Sequence, residues 1–176
     1  MGKYISLLII CCIATKAFYA QNDTIWAYPE DTKSPQAIVK ALYTIISGPA
    51  GEQRNWQRFR KLFTTEAKLI PISTRPGGES VKRPLSIEEY ITTAGPYLEK
   101  EGFFEREIGS KVELFGYMAH VFSTYESRRK ASDEKPFMRG INSIQLWNDG
   151  VRWWIVNIIF QNESKDYPIP GGYIGR

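Results

Sequence analysis

The sequence is almost without cysteine and histidine. Its two cysteines, Cys11 and Cys12, fall within the first 20 residues, and its one histidine is His120. If those first residues are removed after export, the rest of the chain can form no disulfide, thiolate nucleophile or cysteine-ligated metal site. A single histidine also excludes a two-histidine zinc site. We therefore predict no metal and no cofactor.

A hydrophobic run long enough to cross a membrane is also missing. The longest apolar run spans residues 4–14 and is followed by the small residues Ala17 and Ala20. This layout is typical of a secretory signal peptide and too short for a membrane span. We predict a signal peptide over residues 1–20 and an exported protein, periplasmic or extracellular. The alternative is a lipoprotein acylated on one of the two leader cysteines.

The sequence also has little excess of positive over negative charge. The net charge is +4, but Lys3 and Lys16 lie in the predicted leader, which leaves 21 basic against 19 acidic residues. There is no glycine-rich phosphate loop, and the short basic cluster 128–130 lies close to acidic residues, so we interpret it as a solvated strand end. We predict no nucleic-acid partner. A mature chain of about 155 residues suits one domain.

The first half of the chain reads as helices around one strand. Residues 21–34 are polar and predict a flexible lead-in. Helix starts are marked by an N-cap, a residue whose side chain accepts a hydrogen bond from the first turn, and these are Ser34, Asn55 and the capping box of Ser86 with Glu89. Between the second and third helices we predict a strand at 67–73 and an exposed loop at 74–84. Gly95-Pro96 predicts a kink or break in the third helix.

The second half reads as strands. Four segments have strand composition, and Asn148-Asp149-Gly150 marks a tight turn between the last two. The predicted strands are 103–115, 117–130, 139–148 and 152–163. This order predicts an α+β fold over residues 35–163, with three helices packed on one face of a strongly curved antiparallel sheet. Residues 164–176 form a tail, either mobile or lying over the sheet or pocket mouth.

Three segments carry a resemblance to a known superfamily: NWQRFRKLFTTEAKLIPIS, FFEREIGSKVELFGYMAHVFSTYESR and NSIQLWNDGVRWWIVNIIFQ. They resemble the nuclear transport factor 2-like superfamily, in particular its SnoaL-like bacterial branch, over about residues 34–161. The resemblance implies a cone-shaped fold with a pocket, and a homodimer formed through the outer face of the sheet. The superfamily contains isomerases, dehydratases and cyclases, but also proteins that only bind or only assemble, so the fold alone does not give the function.

The carboxylate base that a ketosteroid-isomerase mechanism requires is missing from this sequence. Such an enzyme needs a carboxylate just after the first strand, where this sequence has Ile70, Pro71 and Ile72. Tyr43 lies on the first helix roughly where the isomerase places its oxyanion-stabilising tyrosine. Without a base to match it, we interpret Tyr43 as a core aromatic residue with a satisfied hydroxyl.

His120 is the remaining candidate base. Scytalone dehydratase, in the same superfamily, moves protons with tyrosine, histidine and aspartate. His120 would serve if it faced the cavity, with Tyr43 or Tyr125 as hydrogen-bond donor. Strand alternation separates His120 from Tyr125 but does not show which face is inner. We favour a hydrogen-bonded histidine at an interface, and the enzyme hypothesis fails if His120 lies on the outer face.

Three glutamates on the strands could also carry chemistry. Glu105 and Glu107 share one face of their strand, and Glu126 lies on the next strand. Arg106 and Arg128 are available as partners. We therefore interpret these carboxylates as a salt-bridged sheet edge.

The last strand alternates between two largely apolar faces, which suggests that both are covered. One face would hold Trp153, Ile155, Asn157, Ile159 and Gln161, and the other Trp154, Val156, Ile158 and Phe160. Buried amides need partners, so Asn157 and Gln161 either contact a ligand or bond to backbone and water. Amides beside indoles suit a small, partly apolar, uncharged ligand. The predicted ligand contacts are Trp56, Gln145, Trp147, Trp153, Asn157 and Gln161.

Three functions therefore stay open. The one we favour is an exported protein that binds a small ligand in a conical pocket. The second is an isomerase, dehydratase or cyclase with His120 as general base. The third is a dimeric assembly module, in which the outer face of the last strand would be essential.

Overall fold

A computed structural model describes residues 28–175. The predicted signal peptide, both cysteines and the first part of the lead-in lie outside the described residues. The structure therefore does not bear on export or lipid attachment. Within residues 28–175, none of the helices has the length and apolarity that crossing a membrane requires.

Three α-helices begin at the predicted caps. They are α1 (Pro35–Ile46), α2 (Trp56–Arg60) and α3 (Ile87–Glu101), with short 3₁₀ turns at Pro29–Thr32 and Gly171–Tyr173. The Ser34 hydroxyl accepts a hydrogen bond from the Ala37 amide at 3.1 Å. Ser86 and Glu89 form the full capping box. Local sequence therefore determines where each helix starts.

Six strands form one sheet in the order β2-β1-β6-β5-β4-β3. Their bounds are β1 (Phe63–Thr74), β2 (Ser80–Lys82), β3 (Phe104–Phe115), β4 (Met118–Arg128), β5 (Met138–Asn148) and β6 (Trp153–Asn162). The last four are the predicted meander. The pair β1–β6 is parallel, whereas every other pair is antiparallel. The sheet curves without closing, and the three helices pack against it, as predicted.

Two local details differ from expectation. Of the kink or break expected at Gly95-Pro96, the break does not occur, because α3 continues through both residues. Gly95 instead lets the Trp56 ring lie against the helix, since a Cβ there would be 3.1 Å from that ring. The expected loop 74–84 contains the short strand β2, which pairs with the end of β1.

Burial identifies the inner face of the sheet, which packs against the helices. Along β4 the residues of one alternating set, from Ala119 to Ser127, are all buried, while Met118 on the other face is 60% exposed. The core joins this face to helix side chains such as Ile38 and Phe59. The remaining, outer face is partly covered by the C-terminal tail, residues 163–175. Tyr173 of the tail packs on Phe122 with ring centroids 5.2 Å apart.

A β-bulge at Val156 changes the face of every later residue of β6. Leu146 pairs with Ile155 and Gln145 pairs with Asn157, so Val156 has no partner on β5. An extra residue of this kind shifts the two-residue side-chain period by one position. As a result Ile158 lies in the core and is 2% exposed, whereas Asn157 shares the outer face with Gln145. The uninterrupted alternation predicted for this strand is wrong beyond Ile155.

A buried arginine holds the helix ends together at one side of the sheet. The Arg54 guanidinium donates to the carbonyl oxygens of Ile46, Gly48 and Leu98 at 3.0, 2.7 and 2.9 Å. These carbonyls lie at or near the C-terminal ends of α1 and α3, where backbone acceptors lack partners in the helix. The Glu99 carboxylate joins the same group, because it accepts from the Trp56 indole at 2.8 Å. Arg54 thereby fixes α3 relative to α1.

Replacing Gly140 by alanine should destabilise the fold. A Cβ at this position on β5 would lie 2.4 Å from both the Gln161 carbonyl oxygen and the Tyr125 hydroxyl oxygen. We expect the free energy of unfolding to fall by about 1–3 kcal/mol, because the backbone and the phenol must both shift. Urea denaturation measures this loss. The control is Gly172→Ala, where no atom lies within 4 Å of the new methyl; equal midpoints for the two variants would contradict the prediction.

Candidate functional site

A cavity of about 290 Å³ lies between α3 and the inner face of the sheet. Its wall is mostly apolar, with aromatic rings from both layers. The apolar residues include Leu42, Phe59, Leu69, Leu98, Phe103, Ile158 and Phe160. Its polar groups are few, and Glu105 is the carboxyl group among them. The cavity has the composition of a small-molecule site, at the small end of the usual size range of about 300–1,000 Å³.

Glu105, at the start of β3, lines this cavity and is partly buried. On its other side it borders a larger space of about 840 Å³ between α1 and β3. The Ser127 hydroxyl, directly opposite on β4, donates to Oε2 of Glu105 at 2.7 Å. Burial raises the pKa of Glu105 to about 7, and the Ser127 hydrogen bond offsets this only in part. The shift arises because an apolar surrounding disfavours the charged form. Near neutral pH, the Glu105 carboxyl group is therefore present in two forms. The protonated form can donate a hydrogen bond, and the ionised form can only accept one.

Three tyrosines lie around the same carboxyl group; Tyr43 and Tyr125 are buried, and Tyr90 is partly buried. The pKa values of Tyr43, Tyr90 and Tyr125 are all raised, first by burial and next by the negative charge of Glu105. Their hydroxyls therefore keep their protons. The Tyr125 hydroxyl donates to Oδ1 of Asn162 at 2.7 Å, at the rim of the cavity. Tyr125, one of the three candidate catalytic residues, thus lines the cavity, with its proton engaged by Asn162.

Tyr43 belongs to a buried hydrogen-bond chain between α1 and the sheet. The Asn142 amide donates to the Tyr43 hydroxyl at 3.0 Å, and that hydroxyl lies 2.7 Å from the Ser123 oxygen. Ser123 in turn donates to Glu107 at 2.5 Å. With Asn142 as donor, the Tyr43 proton goes to Ser123 and the Ser123 proton goes to Glu107. The Tyr43 hydroxyl is satisfied within the protein, as the sequence suggested.

The interpretation of Glu105 and Glu107 as a salt-bridged edge is wrong. Arg106 and Arg128 both bond to Glu126, which faces the opposite side of the sheet. Glu105 and Glu107 do share a face, but each accepts from a serine rather than from an arginine. Because both arginines bond to Glu126, Glu105 has no counter-ion. Burial therefore raises its pKa, and the Ser127 hydrogen bond opposes this only in part.

His120 lies on the outer face of the sheet and does not reach the cavity. Its Nε2 is 2.9 Å from the Ser143 hydroxyl oxygen, and its Nδ1 is 3.9 Å from the Glu113 carboxylate. Strand β4 separates it from Glu105, because the residues of β4 that face the cavity include Tyr125 and exclude His120. The hydrogen bond expected of His120 is present, and the interface expected around it stays a prediction.

Four of the predicted ligand contacts lie on the outer face, away from the cavity, and three of these four are close together. Gln145 and Asn157 stand side by side in one row with His120, and Trp147 lies in the next row. Gln161 lines a separate outer space of about 280 Å³ between the sheet and the tail. The bulge at Val156 explains why Asn157 is not on the same face as Trp153.

The other two predicted contacts serve the core. Trp153 is 7% exposed and belongs to the buried cluster. Trp56 packs edge-to-face on Phe59, with centroids 5.5 Å apart, and donates to Glu99. Neither lines the cavity. Within residues 28–175, no three His, Cys, Asp or Glu side chains are grouped so as to hold a metal ion.

Solved structures with the same fold include several proteins that are distant in sequence. An NTF-2 like protein of unknown function from Silicibacter pomeroyi is 16% identical, with 73% of this chain and 92% of that chain covered and a TM-score of 0.50. A Parabacteroides distasonis protein with the provisional name ketosteroid isomerase is 14% identical, covering 77% of this chain and 98% of that chain, with a TM-score of 0.50. At these identities the likeness shows the NTF2-like fold alone.

A third similar structure carries a name that refers to assembly. It comes from Xanthomonas campestris and has the provisional name calcium/calmodulin dependent protein kinase II association domain. It is 14% identical, covers 74% of this chain and 86% of that chain, and has a TM-score of 0.53. No protein-family model matches the sequence, and no curated protein matches it.

The burial of Glu105 predicts a loss of stability as the pH rises. The pKa of Glu105 is about 7 in the folded protein against an ordinary value of 4.5, so the folded state keeps this proton longer than the unfolded state. Between about pH 5 and about pH 8 the free energy of unfolding should therefore fall by up to about 3 kcal/mol relative to Glu105→Gln. Urea denaturation at several pH values measures the difference.

The matched control is Glu113→Gln, because Glu113 is an exposed carboxylate on the same strand. This variant should keep the pH dependence of the unaltered protein. The same slope for Glu105→Gln and Glu113→Gln would contradict the assigned burial of Glu105.

Proposed function

We propose that the cavity binds a small, partly apolar molecule whose buried polar group is uncharged. The observation that carries this proposal is a carboxyl group without a counter-ion in a mostly apolar cavity. An aromatic and aliphatic wall gains free energy when a ligand replaces water against it. The few polar groups then orient the ligand.

The protonation state of Glu105 selects the ligand group that it meets. An apolar ligand removes water from the carboxyl group and so favours the neutral form further. Because Oε2 accepts from Ser127, the proton of the neutral form is best placed on Oε1, where it can be donated to the ligand. A carbonyl, ester or ether oxygen matches this donor. A ligand carboxylate next to Glu105 would meet a like charge.

Binding without turnover fits the residues better than catalysis does. A proton-transfer enzyme needs an acid–base group together with a second group that stabilises the developing charge. Glu105 has a pKa suited to the first task. Tyr125, the candidate donor among the phenols of the cavity, gives its proton to Asn162. An isomerase or dehydratase would use Glu105 in place of His120, which does not reach the cavity.

The proposal keeps the export predicted from the first 20 residues. An exported binder would meet its ligand in the periplasm or outside the cell. Secretion is tested by expressing the whole chain in a bacterial host and identifying the N-terminal residue of the product.

Methyl 2-naphthoate, a neutral aromatic ester, is a suitable probe for the cavity. We expect saturable binding by isothermal titration calorimetry, weaker at about pH 8 than at about pH 6, because the ester prefers protonated Glu105. Glu105→Gln should bind with little dependence on pH, since its amide does not titrate in this range. Ala94→Phe, which fills the cavity from α3, should abolish binding.

The matched control for the cavity-filling change is Thr92→Phe. Thr92 is exposed on the same helix and does not line the cavity, so this variant should bind normally. Equal binding by Ala94→Phe and Thr92→Phe would place the probe elsewhere and would refute the proposed cavity.

We propose in addition that the outer face forms a homodimer, because an apolar row lies open there. Met118, Trp147 and Trp154 are directly opposite one another on three adjacent strands, and Trp147 is 47% exposed. The tail contacts the sheet at Phe122, two rows away, and Met118 in the open row is 60% exposed. Exposed aromatic and methionine side chains beside amides are typical of protein interfaces. The association-domain name of one similar structure is in keeping with this proposal.

Trp147→Glu should turn a dimer into a monomer. A carboxylate at the centre of an apolar contact leaves a charge without a partner when the two copies meet. Sedimentation velocity at several concentrations measures the change. Thr92→Glu, on the exposed helical side, should leave the dimer intact. A protein that is monomeric before any substitution, or dimeric after Trp147→Glu, would contradict this part of the proposal.

A further inference from the structure

An arginine at the mouth of the cavity is held between two aromatic rings. The guanidinium carbon of Arg129 lies 4.1 Å from the ring centroid of Phe137 and 4.8 Å from that of Tyr97. One guanidinium nitrogen, Nη2, donates to the Tyr97 hydroxyl. Rings on both sides stabilise the cation and fix its position.

The neighbours of Arg129 place it at the opening of the cavity. Tyr97 lines the cavity from α3, and Met138, which follows Phe137, lines it from β5. Phe103, also in the wall, packs on Phe137 with centroids 6.2 Å apart. Arg129 and Phe137 therefore lie directly behind one side of the wall, and the exposed Tyr97 ring marks the mouth there.

Arg129 has an unused donor and no carboxylate partner. Its Nη1 is shut off from solvent and has no hydrogen-bond partner. The two acidic residues near it in sequence have other partners: Glu126 accepts from Arg106 and Arg128, and Asp133 accepts from the backbone amides of Arg129 and Lys130. A buried guanidinium N–H without an acceptor carries a free-energy cost that a ligand could remove. For a ligand in the cavity to reach this donor, the Tyr97 ring, which is 48% exposed, has to move aside.

We propose that the ligand is a small amphipathic acid, with an apolar body in the cavity and a carboxylate bound by Arg129 at the mouth. The inference rests on the proposed function and names its ligand class. The carboxyl group of Glu105 and the free Nη1 of Arg129 then bind different parts of the ligand. Glu105 contacts an uncharged polar group in the cavity, and Arg129 contacts the ligand carboxylate. A charge-assisted bond from guanidinium to carboxylate is stronger than a neutral one.

The test compares 2-naphthoate with methyl 2-naphthoate, which differ in charge and keep the same ring system. Calorimetry on the whole protein at about pH 7 should show that the carboxylate binds about tenfold or more tightly than the ester. Arg129→Gln should remove this preference and leave binding of the ester in place. Arg129→Lys should restore part of the preference for the carboxylate. Lysine is also positively charged, but it lacks the planar guanidinium group that can bind a carboxylate through two parallel hydrogen bonds.

The matched control is Arg139→Gln. Arg139 follows Met138 on β5 but is directly opposite Glu126, on the outer side of the sheet. It pairs with Glu163 at 2.8 Å, so this variant should keep the preference for the carboxylate. Urea denaturation shows that each variant is folded before it is titrated. Binding of the ester with no preference for the acid, or a preference that survives Arg129→Gln, overturns the inference and leaves the proposed function standing. Failure to bind either compound overturns both.

Discussion

A carboxyl group buried in an apolar cavity without a cation is the feature on which the character of this site depends. Glu105 lies among aromatic and aliphatic side chains and has one hydroxyl partner. Burial moves its pKa close to neutrality, and its charge helps to keep three tyrosines protonated. The arginines that could neutralise it are engaged on the other face by Glu126. At this end of β3 and β4, the ion-paired side chains thus lie on the outer side of the sheet. Glu105 lies on the inner side, where an unpaired charge is costly.

Much of the fold could be predicted because it depends on local patterns. N-caps at Ser34, Asn55 and Ser86 start the three helices at the expected residues. The turn at Asn148-Asp149-Gly150 separates β5 from β6, with Gly150 at a φ of 95°. These signals act over a few residues, so the sequence reports them directly. The pairing of β1 with β6 joins distant parts of the chain and has no such local signal.

The site was less predictable, because it depends on which face of each strand turns inward. The bulge at Val156 moves Asn157 to the outer face, and no residue type in that strand announces it. Glu105 was assigned to an ion pair because arginines are its neighbours in sequence. Strand alternation turns those arginines to the other side of the sheet. The register that sets Glu105 opposite Ser127 identifies the correct partner, but it becomes visible only when β3 and β4 are aligned.

The most direct test of this account is the titration of Glu105 itself. The ¹³C chemical shift of its side-chain carboxyl carbon can be followed by NMR across the pH range, with Glu105→Gln to assign the signal. Burial without a counter-ion predicts a midpoint near the pKa of about 7. A midpoint close to the ordinary value of 4.5 would mean that water or a cation reaches the carboxyl group. The cavity would then not be the apolar site described for it.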